Sequence, residues 1–359
     1  MKNSSENVNS KIIIAVSIVI LIVGIAYGIV SSQSSVTSTS DPEPITVTDF
    51  KLNTYVSISG YSASATTDIL TEALNLCDYY ELMFSRTLKD STLYKVNHHM
   101  ITEIPVELAT LIDYGIHYSQ VSNGAFDLTI GSVSQLWDFT ADNPTVPSAE
   151  DIANALQYVD YTKISLAPVG ENSEMYNISI PEGTVIDLGA IAKGYIADRI
   201  KDFLLANGVD SAVINLGGNV LCVGSKPSGA DFNIGIKKPF SNNEYISILE
   251  SSDHSLVSSG TYERYFYQDG TFYHHILNPK TGYPYNSNLT GVTIISEDSV
   301  TGDCLSTTCF ALGLDEGMAL IEATDNVEAI FITADQELHY SSGINKQHNN
   351  DIGNYITIK

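Results

Sequence analysis

The chain has 359 residues, with 43% hydrophobic and only 16% charged side chains, enough apolar material for a real core and too much for a disordered chain. Its formal net charge of -25 disfavours nucleic acid and anionic lipid surfaces, because both repel an acidic protein. Any anionic ligand must therefore be met locally, by a metal ion, a lysine or a helix N-terminus.

Ile12 to Val30 is an apolar run without a charge. At ~1.5 Å per residue it nearly matches a hydrocarbon core of ~30 Å. Lys2 and Lys11 precede it, and no Lys or Arg follows before Lys51. The positive-inside rule then leaves residues 1–11 in the cytoplasm, residues 12–30 as a single-pass anchor and the remainder outside the cell membrane. A cleaved signal peptide, with Ala26 and Gly28 near the cut, is the other reading. The Ser/Thr/Pro-rich segment at residues 31–46 reads as a tether, and 47–359 as one catalytic domain.

Apolar residues at three- and four-residue steps predict helices over Thr67–Phe84 and Val106–Val121. A third is expected to open at Ser148, with Asp151 completing a cap, and a fourth to run from Ala190 to Asn207, stopped by Gly208. Strands are expected at Thr54–Ser59, Asn177–Ile180, Ala212–Asn215, Phe232–Ile236, Thr271–Leu277, Gly291–Ile295 and Ala329–Thr333. Several strands in succession fit an α+β fold better than a doubly wound sheet. Cys77, Cys222, Cys304 and Cys309 form no CxxC pair and read as small buried hydrophobes.

Common catalytic signatures are absent. There is no GxGxxG, GxSxG or HExxH, and Tyr195 and Ile196 stand where a P-loop needs Lys and Ser/Thr. What remains is a set of short constellations. In Asp187-Leu188-Gly189-Ala190-Ile191-Ala192-Lys193-Gly194 a strand ends in a carboxylate and a helix opens with a lysine in its first turn, a cradle for an anion. Asp303 and Thr307 lie at i and i+4 of a helix, so a carboxylate and a hydroxyl share one face, which is hard-oxygen ligation of the magnesium kind. His274-His275 enters the turn Asn278-Pro279-Lys280-Thr281-Gly282, and strand alternation lets one of the two face a site. Gly124-Ala125-Phe126-Asp127 precedes the single Trp137, which reads as core. Asn215-Leu216-Gly217-Gly218-Asn219 reads as a tight turn or a close backbone approach.

Each constellation is weak alone, but the order is specific. Phe84-Ser85-Arg86 with Ser91, Leu93 and Asn97 comes first, followed by GAFD, DLGAIAKGY, NLGGN, SSGTYER, HHILNPKTG, GDCLSTT and Phe310-Ala311-Leu312-Gly313. This series resembles the ApbE family of FAD:protein FMN transferases over almost the whole chain beyond the tether. The resemblance implies an ApbE-like mixed α/β catalytic domain that moves FMN from FAD onto a Thr or Ser hydroxyl and releases AMP. It implies FAD contacts at Leu52, Thr87, Ala125, Phe126, Asp127, Asp187, Lys193 and Ile276, and Mg2+ held by Ala190 (through its carbonyl), Asp303 and Thr307. His275 is the candidate proton acceptor, with Asp303 or the phosphate itself as alternatives. The implied acceptors are extracytoplasmic redox subunits and other proteins with an FMN-binding domain. Two positions depart from the family pattern. Leu52-Asn53-Thr54 replaces Met-Gly-Thr, and Thr87 stands where an aromatic or Arg is frequent. A magnesium-dependent FAD pyrophosphatase and a non-enzymatic FAD carrier are the competing functions.

Overall fold

Residues whose side chains alternate in burial build strands, and here eight strands join one large sheet. The structure, a computed structural model, describes residues 41–349 and 353–358 apart from 172, 242 and 243. Asp41–Lys359 is one unit. Its first half contains β1 (Ile45–Lys51), β2 (Thr54–Gly60), α1 (Thr67–Phe84), α2 (Thr92–Asn97), β3 (Glu103–Pro105), α3 (Val106–Val121), α4 (Gly131–Ser134), α5 (Ala149–Leu156), β4 (Ser165–Pro168) and β5 (Met175–Ser179). Then come α6 (Ala192–Ala206), β6 (Ala212–Leu216), β7 (Asn219–Val223), β8 (Phe232–Lys237), β9 (Tyr245–Ser251), β10 (Ser255–Gly260), β11 (Tyr265–Gln268) and β12 (Thr271–His274). The chain continues through β13 (Leu289–Ser296), α7 (Ser299–Leu312), α8 (Leu314–Glu322), β14 (Val327–Thr333), β15 (Leu338–Tyr340), β16 (Ile344–Asn349) and β17 (Gly353–Ile358).

The large sheet has the order β1-β2-β6-β7-β10-β13-β14-β15, and every neighbouring pair in it is antiparallel. This is the expected α+β class. Each strand sends alternate residues to opposite faces. In β13, Val292 and Ile294 join the main core beneath α1, α6 and α7, while Ile295 joins a second core. That second core also takes Ile330 and Ile332 of β14 and is closed by Ile236, Leu249 and Ile356 of the small sheet β16-β17-β9-β8. A third cluster gathers Val133, Trp137, Ile152, Phe266 and Leu277. Trp137 is core, as expected, and its Nε1–H donates to the Gly282 carbonyl at 3.0 Å.

The first two predicted helices match α1 and α3 residue for residue. Ser148 caps α5, accepting from the Asp151 N–H at 3.1 Å. The fourth helix begins at Ala192 rather than Ala190, and Gly208 with φ +76° ends it. The strand expected over Thr271–Leu277 stops at His274. Ile276 and Leu277 are buried by a closing turn, with Asn278 N–H donating to Tyr283 O at 2.8 Å, and not by a ladder. β1 begins at Ile45, and the Asp41 carboxylate accepts from Ser228 N–H at 2.8 Å and Ser228 Oγ at 2.9 Å. The last residues of the expected tether therefore take part in the fold. All four cysteines are free and buried. Among the described residues no helix is long and apolar enough to cross a membrane, and the Ile12–Val30 segment lies outside them.

Helices α6 and α7 approach each other at Gly194. A Cβ there would sit 2.3 Å from the Ser299 carbonyl oxygen, so only glycine permits this contact. Gly194→Ala gains helix propensity of ~1 kcal/mol. The backbone clash outweighs that gain, and a net loss of ~1–3 kcal/mol is expected. Urea unfolding of the two proteins checks it, and a midpoint that rises in the variant contradicts the packing described.

Candidate active site

The first turn of a helix carries N–H groups without intrahelical partners. In α6 the N-cap residue is Ile191, whose side chain cannot accept a hydrogen bond. The missing acceptor comes from α7. Asp303 Oδ2 accepts from the Gly194 N–H at 2.5 Å. The favour is returned one turn away. Asp198 of α6 accepts from the Ser299 and Val300 N–H groups at 2.8 and 2.9 Å, capping α7. Two buried carboxylates thus cap each other's helices. Burial pushes Asp198 up to about 6, against the pull of those two N–H groups. Burial also raises Asp303, and the charge of Lys193, the Gly194 N–H and the Asn219 amide draw it partly back.

The cap has a consequence for Ala190. Gly194 N–H would point at the Ala190 carbonyl if the helix extended backwards by one turn, and it is engaged by Asp303 instead. The Ala190 oxygen is left for another partner. Thr307 lies one turn after Asp303 on α7 and is partly exposed. Its Oγ1 is 3.2 Å from Ser259 Oγ, which is also 2.8 Å from Ser306 Oγ at the end of β10. Among the described residues no three His, Cys, Asp or Glu side chains converge as a metal cluster. One carboxylate, one hydroxyl and one backbone carbonyl are instead the oxygen donors that a hard divalent cation accepts, with water and phosphate completing its shell. The residues present fit that ion.

Lys193 stands in the first turn of α6, half-buried, and its charge reaches both Asp303 and His275. The two histidines have different jobs. His274 uses both ring nitrogens: Nε2–H donates to Tyr285 O at 2.9 Å and Nδ1 accepts from Ile276 N–H at 3.3 Å. His275 follows the end of β12. Part of the residue meets solvent, but its Nδ1 is enclosed and has no hydrogen-bond partner. Burial, then the neighbouring charges of Arg264, His274 and Lys193, lower its pKa to about 3. The one histidine expected to face a site is therefore His275.

The remaining expected residues differ in what holds them. Asp187 is anchored on every side. Its Oδ2 accepts from Arg86 Nε at 2.8 Å and Ser134 Oγ at 3.0 Å, and its Oδ1 from Gly189 N–H at 2.9 Å. Ala125 and Ile276 are joined through Tyr285, whose hydroxyl donates to Ala125 O at 2.7 Å and whose N–H donates to Ile276 O at 3.0 Å. Phe126 and Asp127 are buried, and the Asp127 carboxylate accepts from Thr129 N–H and Oγ1 and from Tyr161 N–H. Burial still leaves it raised above its ordinary value. Asp127 thus orders its own loop. Thr87 is exposed and bonds only back to Ser85. Leu52 and Asn53 form the β1–β2 turn with φ +52° and +57°. Asn accepts that conformation, whereas a bulky leucine there is strained, which marks functional positions. This tip meets the β6–β7 tip, where a Cβ on Gly217 would lie 2.3 Å from Thr54 Oγ1.

Arg86, Ser134, Tyr285, Ser259 and Asp198 were not legible as site residues from the sequence. Each supports the site through hydrogen bonds to a distant segment, and only Arg86 and Ser259 fall within motifs that signalled the family.

The sequence profile of the ApbE family matches residues 52–331. An FAD:protein FMN transferase of Klebsiella pneumoniae (strain 342) is 37% identical over 279 residues, covering 76% of this chain and 85% of that protein. Another, of Treponema pallidum (strain Nichols), is 32% identical over 288 residues, covering 77% and 80%. The crystal structure of the ApbE protein from Thermotoga maritima MSB8 superposes with a TM-score of 0.75 at 32% identity, over 84% of this chain and 97% of that one. The flavin transferase ApbE from Vibrio cholerae gives 0.73 at 27% identity, with the same coverage. The profile match, the shared fold and these identities lead to one conclusion: the chain belongs to the ApbE family.

Proposed function

We propose that the chain is an FAD:protein FMN transferase that uses Mg2+ and acts outside the membrane on a Thr or Ser hydroxyl of a protein with an FMN-binding domain. The names of its relatives support the reaction. The observation that carries the chemistry is the Asp303 carboxylate, buried, tied to the start of the Lys193 helix, and one turn from Thr307. The apolar run after Lys11, with no cation before Lys51, supports the outward orientation.

Lys193 and the open turn of α6 bind the anionic pyrophosphate of FAD. Leu52, Thr87, Ala125, Phe126, Asp187 and Ile276 line the flavin side, while Asp127 acts by holding the 125–129 loop in shape. Asp303, Thr307 and the Ala190 carbonyl would hold Mg2+, which when bound would neutralise charge building on the leaving group. The acceptor hydroxyl attacks the phosphorus on the FMN side, a new P–O bond forms, and the bond to AMP breaks. The hydroxyl proton goes to His275 Nδ1, which is free to accept it. Burial, and then the charges of Arg264 and Lys193, make that nitrogen a weak base in the free enzyme. Anionic FAD placed beside the same two cations offsets them and strengthens it. Ser259 positions Thr307, and Arg86 positions Asp187.

Incubating the chain with FAD, Mg2+ and an FMN-binding-domain protein, then weighing that protein, tests the reading. A gain of one phosphoester-linked FMN is expected. An unmodified acceptor beside free FMN would make the chain a pyrophosphatase.

Lys193→Ala should weaken FAD binding at least tenfold without lowering the unfolding midpoint, since a half-exposed lysine adds little to stability. Fluorescence titration with FAD measures it, and an unchanged affinity returns Lys193 to the surface.

Asp303→Asn and Thr307→Ala should both reduce transfer by orders of magnitude. Extra Mg2+ should rescue Thr307→Ala more than Asp303→Asn, because only the former keeps the charged ligand. The double variant should be scarcely worse than Asp303→Asn, as groups acting as a unit are not additive. Additive losses across a magnesium titration would separate the two residues.

The pH dependence follows from His275. Its folded pKa lies below its unfolded value, so the stability it contributes is present above pH ~6.5 and is lost as pH falls toward 3. Between pH 7 and pH 5 the parent should lose ~2 kcal/mol that His275→Gln retains. Parallel urea-stability profiles would show that the ring is freely solvated.

A further inference from the structure

The β11–β12 ribbon has two unlike faces. Cross-strand pairing sets Tyr265 opposite His274 and Tyr267 opposite Phe272, with Phe266 and Tyr273 on the other side. Phe266 and Tyr273 pack on Trp137 in the third core cluster. The opposite face has no core to cover it: Tyr265 is 40% and Tyr267 65% exposed. Phe240, 51% exposed, leans over from the turn after β8, with its ring centroid 5.6 Å from Tyr265 and 6.0 Å from Phe272. Its φ of +59° is a conformation that a bulky side chain resists, so the turn holds an exposed aromatic ring at a cost. Tyr262 extends the cluster, 6.1 Å from Phe240, with Lys237 over its ring at 5.7 Å. Phe240, Tyr265 and Tyr267 are exposed, partly exposed Phe272 touches all three, and an apolar cluster of this kind marks a contact face.

The ribbon that carries this face ends at the candidate active site. The Phe272 ring lies 5.9 Å from that of His274, and His275 is the next residue. Arg264, exposed, receives the His275 N–H on its carbonyl at 3.1 Å and sends its charge toward the same ring. Tyr262 follows Ser259, the partner of Thr307, by three residues. Among the described residues β11 and β12 pair only with each other, so each has an open edge that an extended peptide can join.

We propose that this aromatic face, Phe240, Tyr265, Tyr267 and Phe272, docks the acceptor protein. It would receive an extended segment that lays an apolar side chain on the rings and delivers its Ser or Thr hydroxyl to His275. This rests on the transferase reading, in which a polypeptide must reach the phosphorus beside His275 and so must cross the surface around it. An aromatic face at the mouth of the site supplies affinity for a chain whose reacting group, a hydroxyl, offers little of its own.

The test uses the full chain, FAD, Mg2+ and an FMN-binding-domain protein that the parent enzyme flavinylates. Phe240→Asn, which suits the left-handed backbone, is combined with Tyr267→Ser. Both positions are exposed, and the unfolding midpoint of the double variant checks that the fold survives. The KM for the acceptor should rise about tenfold or more, with kcat at saturating acceptor and the affinity for FAD within twofold of the parent. An unchanged acceptor KM would overturn the docking face. A parallel loss of FAD affinity would make the rings part of the flavin site and also overturn it. If the parent releases FMN and modifies no acceptor, the transferase reading itself fails, and this surface fails with it.

Discussion

Two carboxylates that cap one another's helices hold this site together. Asp303 reaches the start of α6, Asp198 reaches the start of α7, and Gly194 lets the two backbones touch between them. Burying two acids is costly, and each is compensated by N–H donors and by the positive end of a helix dipole. Because both contacts are directional, the helices can neither slide nor rotate against each other without losing one. That constraint fixes the start of α6, which carries Lys193, against the turn of α7 that carries Asp303, although the contact spans 109 residues of the chain.

The same arrangement answers the problem posed by the charge of the chain. A protein with a net charge of -25 repels a dinucleotide at long range. The site sets a few placed cations against that repulsion. Lys193 and Arg264 both bear on His275, and Arg86 is committed to Asp187. The Asp303 carboxyl stands where a divalent cation would reverse the local field. The acidic surface elsewhere then costs the site little, since its influence is screened within about 10 Å at moderate salt.

The long helices α1, α3 and α6 were legible because their buried faces repeat at the helical period, whereas the short α2, α4 and α8 were not predicted. Leu70, Leu74, Cys77 and Tyr80 sufficed to bound α1. Strand limits were less so. Ile276 and Leu277 continue an apolar run past His274, and composition does not distinguish burial under a turn from burial in a ladder. β1 was missed because it is a sheet edge, mostly exposed, with Thr and Asp among its residues. In the site, the Asp303–Thr307 spacing and the glycine turn before Lys193 could be read directly, since each is local. Asp198 and Arg86 could not. An acid inside a helix and an arginine after one are ordinary in sequence, and their partners lie 101 residues away. The cap that frees the Ala190 carbonyl is a tertiary contact of the same kind, spanning 109 residues.

The claim that these contacts prepare one cation site is open to direct observation. Crystals of the chain grown with FAD and Mn2+ in place of Mg2+ would give an anomalous difference map in which the metal is identified by its own scattering. The account predicts a single strong peak within ligand distance of an Asp303 carboxylate oxygen, Thr307 Oγ1 and the Ala190 carbonyl oxygen, with Asp198 still bonded to Ser299 and Val300. A peak seated on Asp187 or Asp127 instead, with Asp303 still bonded only to Gly194, would contradict it.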